Sequence, residues 1–471
     1  MTLFKSLLLG SAAGLVAVSA AQAADLPTRK GPVAAEYVRV CSITVAGVPV
    51  VGFVLPGSDT CFKLSGYITG QIEGGNLKTS NAVNYNGTFL AVPGRTSRQS
   101  IGGTFNRDSF GWTTRYNLTV DAVSNTAYGP LVAHGEYQFN FGQGFDTTAA
   151  QGSDGGLNRA YVTWAGLTAG KANSFFSFTG GGLAWANFFS PDRQGFNQPD
   201  VLAYTASFGG GFAATISLES KQAANLGSNS AGPIITSGGS NAGFLGSATQ
   251  GGERIPDIVG SLSVHQAWGS AQISGVAHNV RASSNFDNTS IDTWGYAIDA
   301  GVLFNIPSLP GTQVGLTGAY SRKATWYSGI PDGMWGENGQ VNGNGQGMAI
   351  ADAFSNGNGT WATPTAWSVT GWAQFTVNPT VTLGLEGSYG QVSWTGQSAN
   401  SLLSNSKSFI IGGVAHYDPV KNLDFEFELL YQSTKTVQPS GYVASGAPGF
   451  TNAWQNNANG FAARFEVTRS F

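Results

Sequence analysis

The residues able to do chemistry in this chain are few, and their spacing is the informative feature. Asp424, Glu426 and Glu428 occupy every second position of one segment, and Gln432 keeps the same phase. A period of two puts such groups on one face of a β-strand. Carboxylates repeated along a single face cannot meet lipid, so that face lines water or pairs with bases. The candidate bases are Lys63, Arg115, Arg159, Lys171 and Arg464; further candidate acids are Glu73, Asp121, Glu136 and Glu386. The chemistry open to such a set is electrostatic. Opposite signs divided across a water-filled lumen would make a transverse field that orients dipolar solutes. The competing reading makes the same residues plain salt bridges of a wall or a subunit contact.

Catalysis fits the chain less well. His134, His265, His278 and His416 all fall on the polar face of their segments, and none sits in a recognisable nucleophile motif. The glycine run at 180–182 lacks the lysine and strand-to-helix setting of a phosphate loop. The Asn/Gly-rich stretch at 337–359 carries too few acids for a regular calcium site. The reading is of no enzyme, no catalytic residue, no metal and no cofactor. A net charge of -3 leaves no footprint for nucleic acid.

The compartment is written at the N-terminus. Lys5 precedes an apolar stretch from 7 to 21, and Ala21-Gln22-Ala23 is a small-x-small cleavage site. This predicts a signal peptide over 1–23, with the mature chain starting at Ala24. The stretch is too short for a membrane span. Cys41 and Cys61, the only cysteines, would then meet an oxidising periplasm, where a disulfide is the leading reading. A free thiol or a metal site is the alternative, although no His/Cys cluster accompanies the pair. A bridge would tie a short pre-barrel segment, 24–61, to the first strand.

The elements that must position these residues are strands. Charged residues make up only 10% of the chain, beside 67 Gly and 29 Phe. A soluble domain averages ~25% charged residues and ~7% Gly. Alternation recurs almost throughout. Phe62, Leu64, Ile68 and Ile72 oppose Lys63, Ser65, Thr69, Gln71 and Glu73; Leu423, Phe425, Phe427 and Leu429 oppose the carboxylates already named. Strands are expected to begin near 62, 109, 129, 158, 167, 200, 212, 257, 270, 293, 312, 366, 380, 407, 421 and 459. Tight turns are expected at 165–167, 209–211, 268–270, 377–379 and 418–420. Long polar connections fill 74–108, 221–256, 325–364 and 436–459. Long and short connections in strict alternation describe a meander through a membrane. The fold class is therefore all-β, a transmembrane antiparallel barrel of about sixteen strands over 62–471, wide enough for an aqueous channel.

Three further features refine this picture. Trp164, Phe208, Trp268, Phe304, Trp367, Phe375, Tyr417 and Phe471 lie near strand ends and fit interfacial girdles. The chain closes on an alternating run, Phe461 to Phe471, whose terminal aromatic is expected to serve as an assembly signal. Arg469 stands in that run where an apolar residue is usual. Finally, the third long connection, about 176–198, holds five Phe, one Trp and only two charges, Asp192 and Arg193. So apolar a segment seeks burial rather than water, so it is expected to fold into the lumen and narrow it.

The segment from 36 to 67, EYVRVCSITVAGVPVVGFVLPGSDTCFKLSGY, resembles the start of the mature general porins of alphaproteobacteria, the rhizobial and brucella type. HYDPVKNLDFEFELLY at 416–431 is similar to the penultimate hairpin of that family, and VTRSF is similar to its tail. The resemblance implies a general-porin-like homotrimer in the outer membrane, surrounded by its lipids. It implies passive diffusion of small hydrophilic solutes and ions, with the third loop in the pore. A solute-selective channel is the runner-up, and a barrel enzyme or adhesin stands further off.

Overall fold

The computed structural model describes residues 39–54, 57–75, 84–85, 88–89, 110–144, 152–180, 198–220, 248–250, 252–284, 288–329, 352–356, 358–399, 405–437, 440 and 457–471. Sixteen antiparallel strands form one closed wall. The first eight are Cys61–Gly75, Phe110–Thr126, Gly129–Gly144, Gly152–Trp164, Leu167–Lys171, Asp200–Gly209, Phe212–Glu219 and Asp257–Gln266. The second eight are Gly269–Ser284, Ser290–Asn305, Gln313–Arg322, Trp361–Asn378, Val381–Thr395, Ser406–Val420, Leu423–Thr436 and Asn457–Ser470. Each pairs with its neighbour in the chain, and the last pairs with the first, from Ser470 opposite Tyr67 to Ala462 opposite Gly75. Closure leaves no wall edge. In hydrocarbon every unpaired backbone group costs several kcal/mol, so a spanning sheet must close.

The alternation sorts the two faces as expected. Leu64, Ile68, Trp112, Phe139, Ile216, Leu262, Ile298, Leu316, Phe427 and Leu429 are exposed on the outer face. Glu73, Asn117, Glu136, Asp257, Asp299, Glu386 and Glu428 lie buried on the inner one. Of the expected girdle, all eight aromatics are exposed. Seven gather at the short-turn end. Trp367 pairs with Tyr320 towards the other end, beside a second belt that includes Phe110 and Trp112.

Several boundaries differ from the pattern, each for a local reason. The strand expected at 158 begins at Gly152, because five residues rich in glycine carry no alternation to read. The strand expected at 366 begins at Trp361 and includes Pro364, which reads as a breaker but whose carbonyl accepts a bond from the Lys323 N–H. The turn expected at 418–420 lies instead at Lys421 and Asn422, the latter at φ 64°. Pro419 sits where the register shifts between Tyr417 and Val420, and a bulge is where a sheet tolerates proline. The connection rhythm is not strict either, since only residues 285–289 join two strands at the long-loop end.

The C-terminus is paired to its last residue. The Phe471 N–H donates to the Gly66 carbonyl at 3.0 Å, and the Gly66 N–H donates back at 3.1 Å. A Cβ at position 66 would crowd the Asn117 carbonyl and the Phe471 ring, so only glycine lets the ring close onto the first strand. Arg469 is accounted for by its own contacts. Its guanidinium donates to the carbonyls of Asn422 at 3.0 Å and Ser470 at 2.8 Å, capping the last turn instead of meeting lipid.

Ahead of the wall, Val40–Val45 and Val48–Val54 form a hairpin turned at Ala46 and Gly47, both at positive φ. Phe53 and Val54 extend the sheet onto Phe62 and Cys61. Cys41 and Cys61 are joined in a disulfide, with their Cα atoms 5.8 Å apart. Replacing both cysteines by serine should lower stability by about 3 kcal/mol in the chain-entropy picture. The loss should appear as reduced assembly yield and a lower unfolding temperature on heat-modifiability gels, with conductance of the assembled fraction little changed. Unaltered yield and unfolding would show that the strand pairing alone holds the hairpin.

Candidate pore lining

The inner wall carries two charged patches side by side. On the fourteenth to sixteenth strands and the first, Arg464 is the centre. Its guanidinium lies 3.1 Å from Glu426, 2.9 Å from Glu428 and 3.6 Å from Glu466, and it donates to Gln71 at 3.3 Å. Arg464 and these three glutamates are each at most 4% exposed. Glu73 belongs to the same patch through Gln71, whose amide donates to it. The strand register builds this cluster directly, because Glu428 is opposite Arg464 and Arg464 is opposite Glu73.

The second patch spans the first four strands. Glu136 is held by Arg159, by Asn117 at 2.7 Å and by Asn158 at 2.8 Å. His134 bonds Asp121 at 2.7 Å, and Lys63 stands opposite Asp121 in the register. Arg115 donates to Asn140 at 2.7 Å.

Across the lumen the wall is covered from within. The first and ninth strands stand eight places apart in the ring in either direction, so the ninth strand's side faces the charged patches. Here residues 172–180, leaving the fifth strand, pack back onto the inner wall. Glu219 accepts from the Ser174 hydroxyl at 2.6 Å and the Phe175 N–H at 3.0 Å. The Phe176 carbonyl accepts from Ser274 at 2.6 Å and Gln272 at 3.1 Å. Phe176 is fully buried among Val259, Val276, Ala297, Ala324 and Tyr327. A Cβ on Gly301 would overlap the Phe178 ring, so this glycine leaves the space the segment fills.

A short 3-10 turn, Thr325–Ser328, joins the same layer. Tyr327 packs edge-on against Phe176 at 4.8 Å and donates its hydroxyl to Asp257 at 2.6 Å. His278 bridges Asp257 at 2.8 Å and Asp352 at 3.1 Å, and Asp352 also accepts from the Thr325 N–H at 2.6 Å.

Of the residues singled out from sequence, Lys63, Arg115, Arg159, Glu136, Glu426, Glu428 and Arg464 share the inner face. Lys171 does not. It pairs with Ala160 and Asp200 in the phase of the outward Leu167 and Leu202, and its ammonium donates to the Leu157 carbonyl. The fifth strand is too short for the alternation to fix its phase, which is why the sequence misplaced it. Asp192 and Arg193 lie outside the described residues. Glu466 shares the polar face of the closing run but is not among the candidates; Asp257 and Asp299 were missed although their phase was legible, whereas Tyr327 and Asp352 lie in a connection without periodicity.

Comparisons with known proteins agree with this architecture. The model of the porin subfamily matches residues 25–460. Porin Omp2b of Brucella suis biovar 1 (strain 1330) is 33% identical over 345 residues, covering 70% of this chain and 77% of that protein. Porin Omp2b of Brucella neotomae is 32% identical over 342 residues, with the same coverage. The outer membrane channel DcaP of Acinetobacter baumannii superposes with a TM-score of 0.55 at 14% identity, covering 89% of this chain and 99% of that one, a likeness of fold. A lipid-compatible outer face, a charged inner face and a family match over nearly the whole chain meet in one conclusion: the protein belongs to the porin subfamily and forms an outer-membrane channel.

Proposed function

We propose that this channel passes small hydrophilic solutes and ions down their gradients, as a homotrimer and with no catalytic step. In this reading the third connection, 176–198, sets the narrowest point, and solutes pass between it and the charged patches facing it. The observation that carries the proposal is the docking of residues 172–180 on the inner wall through Glu219, Gln272 and Ser274. A sixteen-stranded wall alone encloses a wide water column, so a restriction must come from a segment held inside. One side of that passage then carries Lys63, Arg115, Arg159 and Arg464 against a larger number of carboxylates, which favours cations. The 1–23 leader is read as the export signal and Phe471 as the assembly signal.

Purified protein reconstituted in planar bilayers should give ohmic steps of constant size, and step triplets would accompany a trimer. Liposome swelling should be fast for small sugars and should fall steeply with solute size. Saturable conductance block by one solute class at low concentration would replace general diffusion with a selective channel.

A further inference from the structure

The hairpin that turns at Lys421 and Asn422 brings three metal-ligating groups together on the inner wall. His416 and Glu426 are register partners, and Asp424 stands one step away on the same face. His416 Nδ1 lies 2.9 Å from Asp424 Oδ2 and 3.8 Å from Glu426 Oε2, the latter too long for a hydrogen bond. One ligand atom from each residue falls within 4.8 Å of the other two. Glu426 is only 4% exposed; its Oε1 is taken by Arg464, which leaves Oε2 turned towards the imidazole. Asp424 Oδ1 is buried beside them without a hydrogen-bond partner.

The surroundings point the same way. Behind this trio stand Glu428 and Glu466, gathered about Arg464. Carboxylates outnumber cations in the patch, and a buried surplus of one sign is costly unless something neutralises it. From these observations we infer that His416, Asp424 and Glu426 bind one divalent metal ion of the zinc class near the short-turn end of the pore. The ligand set decides the class. An imidazole nitrogen with two carboxylates suits Zn²⁺, Cu²⁺ or Ni²⁺, whereas Mg²⁺ and Ca²⁺ take oxygen ligands throughout. The ion replaces the proton shared by His416 and Asp424, and water completes its coordination. With that proton released, a wall rich in acids gains one net positive charge, which reduces the preference for cations. That electrical consequence rests on the channel reading; the binding itself does not.

The test is titration calorimetry of the full chain, stripped with chelator, using Zn²⁺ in excess Mg²⁺. One Zn²⁺ per chain is expected, with affinity falling more than about tenfold in His416→Asn and in Asp424→Asn, since even losing an outer-shell partner costs 10–100-fold. Heat-modifiability gels identify which of the two variants folds, and a folded one suffices. Cu²⁺ as a spin probe should report one nitrogen ligand, lost in His416→Asn. Zinc bound equally by the folded variants, or displaced by Mg²⁺, would overturn the site and leave an acidic wall that merely concentrates cations. In bilayers, Zn²⁺ should move the reversal potential of the parent towards anions and leave His416→Asn unmoved. Binding without that movement would refute the effect on selectivity and leave the site standing.

Discussion

Replacing Arg464 by methionine should destabilise the folded barrel by roughly 3–5 kcal/mol and make the channel more cation-selective. The size of the effect follows from what the guanidinium faces. Arg464 is 1% exposed and lies within 3.6 Å of Glu426, Glu428 and Glu466. Removing one partner of a buried pair leaves its counter-charge uncompensated, and here three carboxylates share one cation. Methionine keeps the length and removes only the charge, so loss of packing contributes little. Lysine should rescue in part, because an ammonium cannot span two carboxylates as the planar fork does. Adding Glu428→Gln to Arg464→Met should recover much of the stability, and this recovery separates charge from shape. The measurements are the unfolding temperature on heat-modifiability gels and the reversal potential in a salt gradient. A methionine variant that unfolds and selects like the parent would mean that other cations already neutralise the patch.

How much of this was legible in the sequence follows from which interactions obey a period. The Arg464 cluster is register-made: Glu428, Arg464 and Glu73 meet because adjacent strands place them opposite one another. Alternation alone puts each of them on the inner face, and the meander makes their strands neighbours. The same reasoning fails at Lys171, where a strand of five residues offers too few turns of the pattern to set its phase. It fails at Pro419 for a different reason. A proline that looks like a turn residue is absorbed by a bulge, and the reversal passes to Asn422, which adopts positive φ. Tyr327 and Asp352 were beyond reach because their partners His278 and Asp257 come from other strands, and nothing local specifies the meeting. The His416, Asp424 and Glu426 trio lay between these cases. Its spacing around a two-residue turn implies the contact, but only once the turn is placed correctly.

Releasing residues 172–180 from the wall should turn steady conductance into fluctuating conductance, and this is the sharpest check on how the pore is narrowed. Phe176 is the main apolar anchor, fully buried in the cluster that includes Val259, Val276 and Tyr327. Truncating a buried phenylalanine to alanine costs about 3–5 kcal/mol. If the segment can leave the wall without unfolding the barrel, about 3 kcal/mol lowers the docked-to-undocked ratio more than a hundredfold. Phe176→Ala should therefore assemble normally, since no wall strand loses its pairing, yet give flickering steps with a larger mean conductance. Glu219→Gln provides an independent route to the same end, because Ser174 and the Phe175 N–H both depend on that carboxylate. Gly301→Val attacks from the wall side, placing atoms where the Phe178 ring lies. Three substitutions on three different elements should thus share one electrical phenotype. On the proposed reading of 176–198 as the constriction, deleting residues 181–197 while keeping the anchor should raise conductance without the flicker, because the docked base would stay fixed. If the deletion leaves conductance and the solute size limit unchanged, the narrowest point lies elsewhere. The Thr325–Ser328 turn, packed in the same layer, then becomes the segment to remove next.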